Sequence, residues 1–170
     1  AQWLSGLKAH LNSPKVLEEL GTQDACLEMP MTYLVMEGFG TTGLRGDPNT
    51  TQDPTEVEVE RNDFYWFVRN VGRSGKKGGD RGRWGLGKIV YPASSAIRSF
   101  FCYSVREGDK NRAFIGRSVL AIHAIDGEEF QSEGYYGRFP SEQYPFLAMP
   151  GETDEDVNRF VESFGLRRSP

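Results

Sequence analysis

Only two cysteines, Cys26 and Cys102, occur in the 170 residues. That excludes a disulfide framework, and a reducing cytoplasm is the simplest setting. Neither cysteine has the dyad partner that nucleophilic catalysis needs. Long apolar runs are missing too. The longest, around Val119–Ile125, is interrupted by His123, well short of the roughly 18–20 residues a membrane span needs. The first residues lack a basic segment followed by an apolar one, so no signal peptide is read. Histidine is scarce: His10 and His123 stand alone, without cysteine or carboxylate at ligand spacing, so no protein-held metal site is expected. His123 alternates with apolar neighbours and reads as a strand residue rather than a base. Positive charge is in deficit, with 20 Lys and Arg against 24 Asp and Glu, a net −4. Proteins that bind nucleic-acid backbones are usually basic, so direct nucleic-acid binding is not expected. The chain starts at Ala1 and stops at Pro170; both ends read as cut.

What is present is a globular composition, 38% hydrophobic and 12% aromatic, long enough for one domain with a real core. Ser13 and Pro14 start a short helix carrying Val16, Leu17 and Leu20, and Gly21 stops it. Met31–Met36 is a short apolar run that predicts a buried strand. It leads into the glycine-rich turn Gly38-Phe39-Gly40-Thr41-Thr42-Gly43. Residues 45–56 read as a polar loop. Phe64, Phe67, Val68 and Val71 fall at helical spacing and predict a helix over about 59–71. A short helix is expected to end near Ser95. Strands follow over Ile97–Arg106, Arg112–Ile125 and Phe130–Phe139, with turns at Gly108–Asn111 and Asp126-Gly127. Thr153 is placed to cap a last helix carrying Val157, Phe160, Val161 and Phe164. The expected class is α+β: a two-layer sandwich, its mixed and mostly antiparallel sheet covered by helices on one face.

Residues 72–88 hold seven glycines, six basic residues and one acid. A loop of that composition is costly to order and suits an anionic ligand. Three glycine motifs compete. Gly38 to Gly43 satisfies the dinucleotide fingerprint, but Leu44-Arg45-Gly46-Asp47-Pro48 cannot open the helix it requires. Gly82 to Lys88 satisfies the start of a P-loop, but Ile89 stands where Ser or Thr should hold magnesium.

The third reading uses both loops in order. Glu37-Gly38-Phe39-Gly40-Thr41-Thr42-Gly43-Leu44 resembles the first glycine box of a Bergerat-type ATP site, and Gly82-Arg83-Trp84-Gly85-Leu86-Gly87-Lys88 resembles its second. The chain thus resembles the GHKL superfamily of gyrase B, heat-shock chaperone, histidine kinase and MutL ATPases. With Phe100-Phe101 and Gly116-Arg117, it looks most like uncharacterised bacterial ATP-binding proteins of that superfamily. The resemblance spans roughly residues 31–125.

It implies a single, partial ATP-binding domain. Residues 1–30 form an N-terminal helical segment, 31–125 the nucleotide-binding core, 72–84 the ATP lid, and 126–170 a C-terminal strand and helix. ATP would bring Mg2+ with it. Glu37, Gly38, Gly40, Thr41, Thr42 and Gly43 would line the base side. Lys76, Lys77 and Arg83, with Arg81, would close on the triphosphate. Gly85, Leu86, Gly87 and Lys88 would meet it at a helix start. Lys88 reads equally as a solvated lysine. Trp84 reads as a packing anchor.

Two departures stand out. The aspartate that accepts from the adenine amino group is replaced by Gly38. The asparagine for magnesium and the glutamate base, expected on an upstream helix, have no match, because Asn12, Glu18 and Glu19 have the wrong spacing. The catalytic residues are therefore expected upstream of Ala1. The intact parent would be an ATP hydrolase acting on attached domains or partner proteins, with a nucleotide-dependent dimer as one arrangement. The alternative is a degenerate, non-catalytic nucleotide-binding or protein-interaction module.

Overall fold

In the computed structural model, residues 2–25, 27, 31–50, 62–69, 86–107, 112–139 and 154–167 are described. The fold is α+β, with antiparallel sheets. The chain divides into two compact units. The first comprises Ala1–Leu34, Tyr91–Phe100 and Arg117–Tyr136, the second Val35–Val90, Phe101–Gly116 and Gly137–Pro170.

The first unit opens with a 3-10 helix, Gln2–Leu7, that runs into α1 (Lys8–Leu11). These turns have no sequence signal of their own and owe their order to buried Trp3 and Leu11. Helix α2 (Pro14–Leu20) has the expected punctuation: Pro14 at its first position and Gly21 beyond its end at φ 67°. The Gly21 and Thr22 amides close the last turn on the Glu18 and Leu17 carbonyls at 3.1 Å each, as a left-handed glycine cap does. Ser13 supplies the extended backbone of the N-cap, but its hydroxyl makes no cap hydrogen bond. Leu11, Val16, Ala25 and Leu120 form this unit's core, with Leu7, Leu17, Leu20, Leu27 and Ile97 against it. Each large aliphatic residue buried there contributes about 1.5–3 kcal/mol.

The long strand expected over 112–125 is interrupted. It divides into β2 (Arg112–Val119) and β3 (His123–Ile125). The strand expected over 130–139 is shorter, β5 (Glu133–Tyr136), and Phe130 belongs instead to a separate strand, β4 (Glu128–Phe130). Strands β3 and β4 form an antiparallel hairpin in which Ile125 faces Glu128 and His123 faces Phe130. Its two-residue loop, Asp126-Gly127, has φ of 51° and 85°. Both positive values belong to the turn that matches strand twist, for which Asp-Gly is a favoured pair. Strand β1 (Ser99–Val105) joins β2 and β5 in a three-stranded sheet of order β1-β2-β5. Residues 113–118 of β2 are all buried, which explains why its sequence, Ala-Phe-Ile-Gly-Arg-Ser, does not alternate.

In the second unit, α3 (Asp63–Val68) buries Phe64, Tyr65 and Val68. Asn62 caps it, its side-chain oxygen accepting from the Tyr65 amide at 2.9 Å. The Asn62 amide group donates to the Asp47 carbonyl and the Thr50 hydroxyl at 2.9 and 3.0 Å. A 3-10 turn, Leu86–Ile89, belongs to this unit and leads into α4 (Val90–Ser94), the short helix expected to end near Ser95, whose residues from Tyr91 on belong to the first unit. Helix α5 (Asp154–Ser163) buries Val157 and Phe160. The Phe160 ring stacks on Phe114 at 4.6 Å and meets Phe101 at 5.4 Å and Phe164 at 4.9 Å. The ends of the expected helix 59–71, the turn 108–111 and the Thr153 cap lie outside the described residues.

One element is corrected. Residues 31–36 are not a buried strand: they belong to no sheet, and Tyr33, Leu34 and Met36 are exposed. An apolar run forms a strand only where a neighbouring strand takes up its hydrogen bonds, and that neighbour cannot be read from the run itself.

Among the described residues no helix is long and apolar enough to cross a membrane.

Candidate functional site

The first glycine box is a turn laced to the end of β1. The Leu44 amide donates to the Ser104 hydroxyl at 2.8 Å, and the Glu107 amide to the Thr42 carbonyl at 3.1 Å. Gly43, at φ 73°, sits so close that a Cβ would lie 2.1 Å from the Val105 carbonyl oxygen. Just beyond the box, Gly46, at φ 93°, would place a Cβ 2.5 Å from Asn62, and its carbonyl accepts from Arg106 at 2.6 Å. These two glycines are demanded by the fold. Gly40 needs its positive φ of 66° but has open space around it.

Gly38 differs from all three. It has no positive φ, it is exposed, and a Cβ there would meet only Thr41 Cγ2, at 3.9 Å. The backbone therefore does not require glycine at position 38. Glu37 is engaged within its own unit. Its carboxylate accepts from the Arg167 amide at 2.8 Å and pairs with the Arg167 guanidinium at 3.7 Å. Thr41 and Thr42 are both exposed, and the Thr42 hydroxyl donates to the Gly43 carbonyl at 3.3 Å.

The second box starts the helical run of Leu86–Ile89 and α4. Gly87 is exposed, with nothing within 4 Å of where a Cβ would stand. The Lys88 ammonium donates to the Trp66 carbonyl in the last turn of α3. A cation at a helix C-terminus complements the helix dipole. Of the remaining site residues, Lys76, Lys77, Arg81, Arg83 and Gly85 lie outside the described residues, as does Trp84; Leu86 is described in its backbone alone.

The two histidines, 113 residues apart, meet in the first unit. His10 Nδ1 lies 2.9 Å from His123 Nε2. Only the fold could reveal this, because neither residue has a local motif. Among the described residues no group of three or more His, Cys, Asp or Glu could hold a metal ion. Burial pushes the Cys102 thiol up to about 12, so it is a protonated, inert packing group at neutral pH.

Set against protein-family models, curated proteins and solved structures, the chain matches none of them.

Proposed function

We propose that this chain is an ATP-binding domain of the GHKL type, holding the nucleotide between the first glycine box at 38–43 and the second at 82–88. The observation that carries the reading is the condition of Gly38. It is exposed, unstrained and unobstructed in a turn whose other glycines have structural reasons to be there. The open space at Gly38 leaves room for a ligand, and for a side chain added there, without backbone strain.

The residues present fit a triphosphate better than an adenine. Gly87 opens a helical run with clear space above it, and the basic segment 72–88 supplies charge. No carboxylate is offered at Gly38, and Glu37 is engaged by Arg167. Mg2+ would arrive on the nucleotide and neutralise phosphate charge. Hydrolysis would need a glutamate base, and Glu18 and Glu19 do not have the spacing the resemblance requires. The second reading, a degenerate non-catalytic module, draws on the same two observations at Glu37 and Gly38.

The test is Gly38→Asp, read by calorimetric titration with ATP and with GTP. A charge-assisted hydrogen bond is worth about 1.5–3 kcal/mol, so ATP should bind roughly 10–100-fold tighter. GTP should not gain, because guanine presents a carbonyl where adenine presents its amino group. The open surroundings of Gly38 mean that the variant keeps its thermal stability. A stable variant with no gain for ATP over GTP would remove adenine from this loop.

A further inference from the structure

We infer that the His10–His123 pair is a pH-sensitive latch holding α1 to the β3–β4 hairpin, closed when the pair carries at most one added proton and opened by the second.

The argument begins with the tautomers. His123 Nδ1 lies 2.8 Å from the Ala121 carbonyl oxygen. A carbonyl only accepts, so Nδ1 carries hydrogen and donates. In neutral His123, Nε2 is then the bare nitrogen. The contact of 2.9 Å between His10 Nδ1 and His123 Nε2 is therefore a hydrogen bond from His10 to His123. The Ala121 amide in turn donates to the Glu19 carboxylate at 2.6 Å. A single directed relay thus ties α2, the 120–122 segment, β3 and α1 together.

The rings are packed as well as bonded. Phe130, across the hairpin from His123, stacks on it at 5.8 Å and meets the edge of His10 at 4.7 Å. His123 is buried, and His10 is partly so.

Protonation acts on this arrangement in two steps. One added proton still leaves a donor and an acceptor across the contact: an imidazolium at His10, for example, still donates through Nδ1. With both rings protonated, neither nitrogen of the contact can accept. Two donors and two positive charges would then face each other across 2.9 Å, and the contact becomes repulsive.

Charged groups on the neighbouring elements do not offset this. Helix α1 carries Lys8, of the same sign. The 3-10 helix before it has no charged residue. On α2, the Glu19 carboxylate is spent on the Ala121 amide, and Lys15 and Glu18 are exposed. On β4, Glu129 lies on the face of the hairpin away from the ring pair; Glu128, opposite Ile125, shares the ring face but is exposed to solvent, as is Asp126 in the turn. Burial first, and the His123 ring second, hold the His10 pKa below its ordinary 6.5. Folded His10 therefore takes up less proton than it does in the open state as pH falls through 6.5, so acid favours opening.

The test is hydrogen exchange of the hairpin amides, residues 123–130, in the full chain from pH 7.5 to 5. Exchange is expressed as protection factors so that the intrinsic pH dependence cancels. Protection should fall on acidification, by up to about tenfold per pH unit for each proton gained on opening. Protection of the α5 amides serves as the reference and should fall less. In His10→Asn/His123→Gln, amide groups replace Nδ1 of the first ring and Nε2 of the second without titrating. Hairpin protection should then be flat over the same range. A wild-type acid loss that persists in this variant overturns the latch. A second readout needs no variant: nitrogen-15 shifts of the wild-type imidazoles should report Nδ1–H on both rings at pH 7.5 and coupled titration on acidification. Two independent titrations near 6.5 with unchanged hairpin protection overturn it equally.

Discussion

At the scale of single residues, glycines of one loop answer to different causes. Gly43→Ala must accommodate both a positive φ and a carbonyl oxygen 2.1 Å from the new Cβ. Left-handed strain and overpacking each cost about 1–3 kcal/mol, so the variant should lose roughly 3 kcal/mol or more in urea unfolding. Gly38→Ala should stay within about 0.5 kcal/mol of wild type. Equal losses at the two positions would show that the turn, not a ligand, explains both. The motif was legible in the sequence, but the division of labour inside it was not, because it depends on where the Val105 carbonyl falls. Cys102 makes a separate point. Its thiol at about 12, against an ordinary 9.0, leaves about a thousandfold less thiolate at neutral pH. In a Cys26→Ser background, labelling by a thiol reagent at pH 7.5 should therefore be slow in native protein and fast in urea. Because the thiol pKa is raised on folding, the folded state keeps its proton above pH 9 while the unfolded state loses it. Stability should decline with rising pH there.

Whole elements were legible where their signals are local. Helix α2 could be read from Pro14 and Gly21, and the β3–β4 turn from Asp126-Gly127, because proline fixes φ at a helix start and glycine alone reaches positive φ without strain. The interruptions after Val119 and Phe130 were not legible. Both occur where non-local bonds take over: the Val119 amide donates to Arg98 and the Leu120 amide to Ser132, at 3.0 and 2.8 Å. The apolar run at 31–36 failed for the related reason that strand pairing is a property of two segments. Helix α5 lies between these cases. Its spacing marked Val157 and Phe160 as inward, but not that Phe160 would sit among four rings, Phe101, Tyr103, Phe114 and Phe164. Phe160→Ala should cost about 3–5 kcal/mol in thermal or denaturant unfolding, as removal of a buried aromatic does. Val161→Ala, at a half-buried position of the same helix, should cost clearly less. If the two losses match, Phe160 is not the anchor of that cluster.

For the molecule as a whole, charge is distributed in a way the net value hides. Residues 72–88 carry six basic and one acidic residue, a local +5, so the rest of the chain holds 14 basic and 23 acidic residues, a net −9. On the proposed function, a tetra-anionic nucleotide would meet an unfavourable field from the rest of the chain's net −9 and a favourable one from this segment. ATP affinity should therefore depend strongly on that segment. Lys76→Gln/Lys77→Gln/Arg81→Gln/Arg83→Gln removes four of its six cations and leaves Lys88 at the Trp66 carbonyl. The variant should bind ATP at least about tenfold more weakly at 50 mM salt, the loss expected when about 1.4 kcal/mol of attraction is removed. The difference should shrink as salt rises, since exposed charges are screened within a Debye length of about 10 Å at 0.1 M. Adenosine, which lacks the phosphates, supplies the control: its binding should be the same in both proteins. If ATP affinity and its salt dependence survive the four substitutions, the segment does not meet the phosphates, and the two glycine boxes cannot be halves of one site.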